Sequence, residues 1–538
     1  MNKNLDFQVI VIGGGATGAG VARDCALRGI KVLLLEKSGI ASGATGRNHG
    51  LLHSGARYAV TDKESAVECI AENQILRRIA SHCVEDTQGL FISLPEDDLA
   101  YQKKFIESCN DAGIKAEAID PKLALRMEPA VNPTLIGAVT VPDGAVDPFR
   151  LASSNITDAI EHGATVRTYC EVVSLIIKNG AVVGVKIFDK LKNAEEEIYA
   201  DLVVNAGGIW GQKIAEYADL KIKMFPAKGS LLIFAHRTNS VVINRCRKPS
   251  NADILVPGDT ISLIGTTSTR VPYDEIDNMY VTKDEVDLLW NEGIKLAPSL
   301  ANTRILRAYA GVRPLVAKDG DETGRELSRG IVLLDHETRD GLKGFITITG
   351  GKLMTYRLMA EEATNLVCKK LGINKPCTTA ETPLPGSRTS KQEAQKTIMS
   401  LPLPTRKSIV DRQGDLAREI KPKHNDATLI CECEQVSLAE AEFAINKLNV
   451  KNLPDLRART RLGMGTCQGE LCACRAMGVM KKLKGTSASE SKNALNKFMA
   501  ERWKGVRPIL WGDAMRESQF TSWIYDNVLG LDETKIQK

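Results

Sequence analysis

A strand, a glycine turn, a helix and a second strand in the first forty residues, mixed strand and helix periods through the middle, and five cysteines within 44 residues near the end predict an α/β protein. Its parts are a Rossmann-type nucleotide-binding unit interleaved with a mixed-sheet domain, and a small Cys-rich module at the C-terminus. At 538 residues, the chain exceeds what one core organises. With 43% hydrophobic and 25% charged residues and a mean hydropathy of -0.15, it is globular rather than disordered or fibrous. Lys and Arg number 71 against 66 Asp and Glu, a net +5 too small for general nucleic-acid binding. The basic excess lies beyond residue 450 and reads either as a solvated face or as a docking surface for an acidic partner or anionic membrane.

The elements follow in order. Val9–Ile12 is a short buried strand, residues 16–28 a helix and Val32–Leu35 the next strand, together a βαβ unit. Apolar residues at Ala66, Val67, Ile70, Ile75, Leu76 and Ile79 have helical spacing. Between about 85 and 345 strands and helices mix, with one hairpin where 254–256 and 260–264 flank Pro257-Gly258-Asp259. Residues 378–428 hold five of the chain's 20 prolines and read as a linker or loosely packed bridge. The Cys-rich module spans 429–485. The tail, 486–538, carries Trp503, Trp511 and Trp523, which either pack under that module or dock a partner. No run of about 20 apolar residues and no secretory signal is evident, which places the chain in a reducing cytosol. Thirteen cysteines there argue for metal or redox use of a few and burial of the rest.

Gly13-Gly14-Gly15-Ala16-Thr17-Gly18 fits G-x-G-x-x-G between the first strand and helix. Gly13, Gly15 and Gly18 let the backbone turn tightly against a pyrophosphate held at the helix N-terminus, and Glu36 stands where an adenosine ribose needs an acceptor. The small and polar run 40–50, including Thr45 and Gly46, suits a backbone lying against a flavin, where a nicotinamide enzyme would continue its Rossmann repeats. Two further strand ends agree: Ala206-Gly207, and Gly350-Gly351 with Leu353, where a helix start can face a reduced flavin's anionic edge. The expected cofactor is FAD. Its binding parts are about 1–85, 150–220 and 340–377, within an oxidoreductase unit 1–377 whose substrate part is about 86–149 and 221–339.

Cys431-x-Cys433, 33 residues, then Cys467-x4-Cys472-x-Cys474 is not the C-x2-C spacing favoured by zinc ribbons. Four thiolates on a Gly-rich loop suit an iron–sulfur cluster, with zinc or free thiols as the alternatives.

The segments His53-Ser54-Gly55-Ala56-Arg57-Tyr58, Tyr309 to Leu315 and Gly350 to Arg357 resemble the FAD-dependent glycerol-3-phosphate dehydrogenase family, over roughly residues 7 to 370. The cysteine arrangement resembles the bacterioferritin-associated-ferredoxin-like [2Fe-2S] domain, which implies Cys431, Cys433, Cys467 and Cys472 as ligands and Cys474 as a spare. With both parts, the chain is similar to the large subunits of the family's bacterial anaerobic branch. The resemblance implies oxidation of sn-glycerol 3-phosphate to dihydroxyacetone phosphate, with electrons leaving through the cluster to quinone. It also implies a second catalytic subunit carrying FMN, a membrane-anchored iron–sulfur subunit, and a peripheral position on the cytoplasmic side of the inner membrane.

Within the substrate pocket, the resemblance implies that Arg313 and Arg329 grip the phosphate while Arg57, Tyr58 and Lys352 line the space over the flavin. His53 is the candidate base, because an imidazole titrates near neutrality; His49 in the same loop is a rival, and either ring can instead only hydrogen-bond flavin or backbone. Where aerobic relatives are expected to carry Gly-Ser-His, this chain has Gly229-Ser230-Leu231, so that position supplies no proton acceptor. An amine or 2-hydroxyacid dehydrogenase of the same fold is the alternative activity, although a carboxylate substrate needs one bidentate arginine rather than several cations.

Overall fold

The computed structural model describes residues 6–317, 327–328, 330–423 and 427–531. The first apolar run forms strand Phe7–Ile12, whose Val9, Ile10 and Val11 are fully buried, as a strand covered on both faces requires. It sits at the centre of a parallel array in the order Thr165–Thr168, Val32–Glu36, Phe7–Ile12, Ala194–Asn205, Phe345–Gly350. Helices Ala16–Leu27, Pro148–Glu161 and Tyr356–Leu371 cover one face, sharing a core of Ala19, Ala22, Ile156 and Ala360 with the strands. The helices pack so closely that a Cβ on Gly20 would lie 2.9 Å from that of Ala360. Strand Ala194–Asn205 has two partners in succession: its first half belongs to an antiparallel meander with Ala181–Asp189 and Cys170–Lys178, and its second half runs parallel to Phe7–Ile12. Strand Ile331–Asp335, expected in the substrate part, instead pairs antiparallel with Phe345–Gly350 on this same sheet.

The second sheet has ten strands and is mixed. Its centre is Met224–Ala235 between Ile305–Ala317 and Ile261–Gly265, and its one parallel pairing among the described residues joins Val242–Arg245 to Gly89–Ser93. The expected hairpin is Ile254–Pro257 with Ile261–Gly265, closed where Gly258 N–H donates to the Ile261 carbonyl.

Residues 378–428 are not a loose bridge. They carry helices Lys391–Ala394 and Leu403–Gln413, and bury Ile398, Ile409, Val410 and Ala417 in one core with Cys431, Cys472 and Phe498. The prolines misled because Pro402 caps the second helix and Pro404 lies in its first turn, where a missing N–H goes unnoticed. The tail is divided as well. Helix Ala488–Val506 contributes Leu495, Phe498 and Met499 to the Cys-rich core and Val506 to the main core, while Trp523 and Phe520 stand 56% and 61% exposed. No helix among the described residues is long and apolar enough to cross a membrane.

Candidate functional site

One cavity of about 360 Å³ runs from the ends of the parallel strands to the mixed sheet. Gly13, Gly15, Glu36, Thr45, Ala206, Gly207, Gly350, Gly351 and Leu353 all line it. Gly13 holds φ +111, and a Cβ there would come within 2.5 Å of the Ala206 carbonyl oxygen, so only glycine lets the turn pack this closely on the neighbouring strand end. Gly18 and Gly46 serve packing and do not line the space: a Cβ on Gly18 would lie 1.9 Å from the Gly13 oxygen, and one on Gly46 would lie 2.5 Å from Phe149. Thr45 Oγ1 accepts the Ala16 N–H at 3.0 Å, joining the small-residue loop to the helix start. Glu36 accepts from the N–H groups of Gly14 (2.6 Å) and Ser38 (2.8 Å); burial raises its pKa, and those two bonds oppose the rise. A glycine cradle, two helix N-termini and a buried acid on one elongated cavity fit a dinucleotide.

At the far end of the cavity lie Arg313, Lys352, His53 and Tyr58. The Arg313 guanidinium donates to Thr266 Oγ1 and, at 3.0 Å, to the Thr267 carbonyl. Lys352 Nζ stands 4.6 Å from the Tyr58 ring centre, and the His53 ring lies 5.5 Å from Tyr58. His53 is buried, with its carbonyl accepting from Asn73 Nδ2. His49 also lines the space, 5.7 Å from His53. Its Nδ1 accepts the Leu51 N–H at 3.2 Å, which puts the ring proton on Nε2, and burial followed by the Arg313 and Arg57 charges lowers its pKa to about 3. His49 is therefore equipped to donate a hydrogen bond, not to take a proton.

Arg57 does not line the cavity. Its NH2 is bound to Asp253 Oδ2 (3.0 Å) and the Ser250 carbonyl (2.9 Å), because the chain leaves the His53 loop toward the mixed sheet. Arg329 lies outside the described residues. Sequence reasoning missed Arg47, Trp210 and Lys37 in the wall. Lys37 lies 4.0 Å from the Trp210 ring, and both reach Asp277, at 3.2 and 2.9 Å. Lys37 directly follows Glu36 in sequence, a proximity that could have flagged it.

The structure brings Cys431, Cys433, Cys467 and Cys472 together and leaves Cys474 exposed. Sulfur contacts link Cys431 to Cys472, Cys472 to Cys467 and Cys467 to Cys433. The hydrogen bond from Cys472 lowers the pKa of both Cys467 and Cys431 against the rise from burial, helped by the N–H groups of Leu471 and Gly469 at Cys467 and of Gly463 and Glu434 at Cys431. Cys472, which donates in both bonds, is raised. The glycines are required here: Gly463 and Gly469 have φ +79 and +92, and a Cβ on Gly465 would meet that of Cys433 at 2.5 Å. Arg502 lies close enough for its charge and that of Cys467 to act on each other, with Nε and NH1 buried and unpaired. Its NH2 lies 3.4 Å from Glu470, so two of its donors stay free beside the cysteines, and thiols held by backbone N–H groups next to such a cation fit an anionic cluster. Among the described residues, no three His, Cys, Asp or Glu side chains converge on a single-ion position.

Comparison with known proteins agrees with both halves. Residues 8–357 match the FAD dependent oxidoreductase family and 429–482 the BFD-like [2Fe-2S] binding domain. The chain is 64% identical to a subunit of the anaerobic glycerol-3-phosphate dehydrogenase of Haemophilus influenzae, over 99% of this chain and 95% of that one. It is 63% identical to the corresponding subunit of the Escherichia coli K12 enzyme, over 99% of each. Among solved structures, the glycerol-3-phosphate dehydrogenase of Bacillus halodurans, complexed with FAD, superposes with a TM-score of 0.70 at 22% identity, covering 95% of this chain and 97% of that one.

Proposed function

Because this chain belongs to the FAD-dependent oxidoreductase family, and within it groups with subunits of anaerobic glycerol-3-phosphate dehydrogenases, we propose that its cavity oxidises sn-glycerol 3-phosphate to dihydroxyacetone phosphate and its cysteine module carries the electrons onward. Bound in these sites, FAD supplies the hydride acceptor and the [2Fe-2S] cluster a one-electron carrier. The convergence of Arg313, Lys352, His53 and Tyr58 on the wall that also holds Gly350-Gly351 carries this reading.

Arg313 and Lys352 bind the phosphate dianion, to which two cations and several donors are suited. His53 takes the C2 hydroxyl proton as the C2 hydrogen leaves with its electron pair; His49 donates to substrate or flavin through Nε2. Gly13, Gly15, Thr45 and the two helix starts hold the pyrophosphate and flavin edge, and Cys431, Cys433, Cys467 and Cys472 are the cluster ligands. The relatives are named as parts of a larger enzyme, which implies other subunits. In our reading these are an FMN-bearing catalytic partner and a membrane-anchored iron–sulfur protein that deliver electrons to quinone at the cytoplasmic face of the membrane.

The test is anaerobic flavin bleaching by glycerol 3-phosphate, lactate and glycine in turn. Bleaching by glycerol 3-phosphate alone is expected, and equal bleaching by lactate or glycine would overturn the phosphate assignment.

A further inference from the structure

The cysteine module meets the rest of the protein through a partly buried ion network, and we propose that Arg461 at its centre is the positioning residue that seats the Cys431–Cys433 segment against the flavin-binding fold. The idea rests on the cluster and flavin assignments above. Arg461 caps helix Leu453–Thr460 in a left-handed conformation, φ +61, with its N–H donating to the Arg457 carbonyl. From there its Nε lies 2.7 Å from Asp259 and 3.1 Å from Glu434, and its NH1 lies 3.5 Å from Asp147.

Those three carboxylates come from three different parts of the molecule. Glu434 directly follows Cys433 and has a side chain only 1% exposed. Asp259 is in the turn of the hairpin of strands Ile254–Pro257 and Ile261–Gly265 in the mixed sheet. Asp147 caps helix Pro148–Glu161 of the nucleotide-binding unit by accepting the N–H groups of Phe149 and Arg150. Arg150 closes the circuit at 2.8 Å from Asp259 and 3.4 Å from Asp147. Thr260 donates to Glu434 at 2.6 Å, and Arg412 donates to the Glu434 carbonyl at 2.6 Å.

The network ends beside the cofactor cavity, since Phe149 packs on Gly46 and the adjoining Ala44 and Thr45 line the space. One guanidinium thus links Glu434, next to Cys433, to Asp147, the cap of the helix whose Phe149 packs on the small-residue loop. Electron transfer falls steeply with separation, so a seat fixed by charge-assisted bonds from both sides sets how well the two centres communicate.

The experiment uses the full-length protein and the variants Arg461→Gln, Arg461→Lys and Asp259→Asn. Hydrogen exchange at amides 429–436 is read in cluster-loaded and in cluster-free protein, and rapid-mixing spectra follow flavin bleaching and cluster reduction after glycerol 3-phosphate is added. In Arg461→Gln the exchange should speed up at least tenfold and cluster reduction should slow at least tenfold, with unchanged FAD content and unchanged flavin bleaching; Arg461→Lys should recover part of both. Asp259→Asn weakens the same seat from the mixed-sheet side and decides the matter if Arg461→Gln does not fold. Wild-type exchange in Arg461→Gln, or cluster reduction that keeps pace with wild type, would overturn the proposal. Should the wild-type protein lack an iron–sulfur signal, the cluster assignment fails by itself, and the exchange comparison still decides whether Arg461 holds the segment.

Discussion

The two cofactor sites are built from opposite materials. At the end of the cavity nearest the parallel strands the wall is built on backbone: glycines at 13, 15, 207, 350 and 351 and two helix starts. The cysteine module is made of side chains, with four thiols supported by N–H groups and a buried cation. A backbone site fails when a side chain is added; a side-chain site fails when one is removed.

The sharpest way to break this comparison is to exchange one ligand atom. Cys431→Ser or Cys467→Ser should abolish the iron–sulfur absorption and its paramagnetic signal while glycerol 3-phosphate still bleaches a full complement of FAD. Stoichiometric zinc without iron after anaerobic purification would sink the cluster assignment. The converse change adds one methyl. Gly18→Ala places a Cβ where the Gly13 oxygen already stands and should cost about 3 kcal/mol, the upper range for overpacking. FAD content should drop, as read by flavin-to-protein ratio and denaturant midpoint, while the separate core around Cys431 and Cys472 keeps its iron.

A smaller effect separates the two arginines assigned to one pocket. Arg313→Ala should lower kcat/KM for glycerol 3-phosphate by about 1.5 to 3 kcal/mol, the range for a lost charged hydrogen bond, mainly through KM. Arg57→Ala should move KM far less, because its guanidinium is committed to Asp253. Equal effects would put Arg57 back in the pocket.

The smallest effect lies where the nucleotide unit meets the 378–428 segment. Buried His82 sits between Ser154 and Ser387, and burial, followed by the charges of Arg150 and Lys391, lowers its pKa to about 3. An unfolded histidine titrates near ~6.5. As pH falls below that value the unfolded chain gains a proton that the folded one refuses, so stability declines on acidification. Between pH 7 and 5.5 the loss should be about 1 kcal/mol, and His82→Gln should remove that share of the slope in urea titrations at the two pH values.

The glycine turns, the βαβ unit, the hairpin and the cysteine set were legible because each depends on neighbours in sequence. Trp210 against Lys37, Arg57 against Asp253, and Arg461 between three carboxylates were not, since each joins residues that only the fold brings together. Proline content misread 378–428 for a related reason. Composition counts prolines, whereas packing depends on their place in a helix, and Pro402 and Pro404 occupy the start of one.

The pairing of Phe7–Ile12 has a consequence for how the chain is born. One edge of that strand is filled within thirty residues, by Val32–Glu36, but the other waits for residues 200–205, and these in turn wait for 345–347. At the ribosome's pace of ~5–20 residues per second, roughly 20 to 70 s pass before the sheet that holds the nucleotide can be completed. For roughly the first 10 to 40 s of that interval, until residue 205 is made, the edge of Phe7–Ile12 stays open on the nascent chain, so the earliest-made strand is in need of chaperone cover.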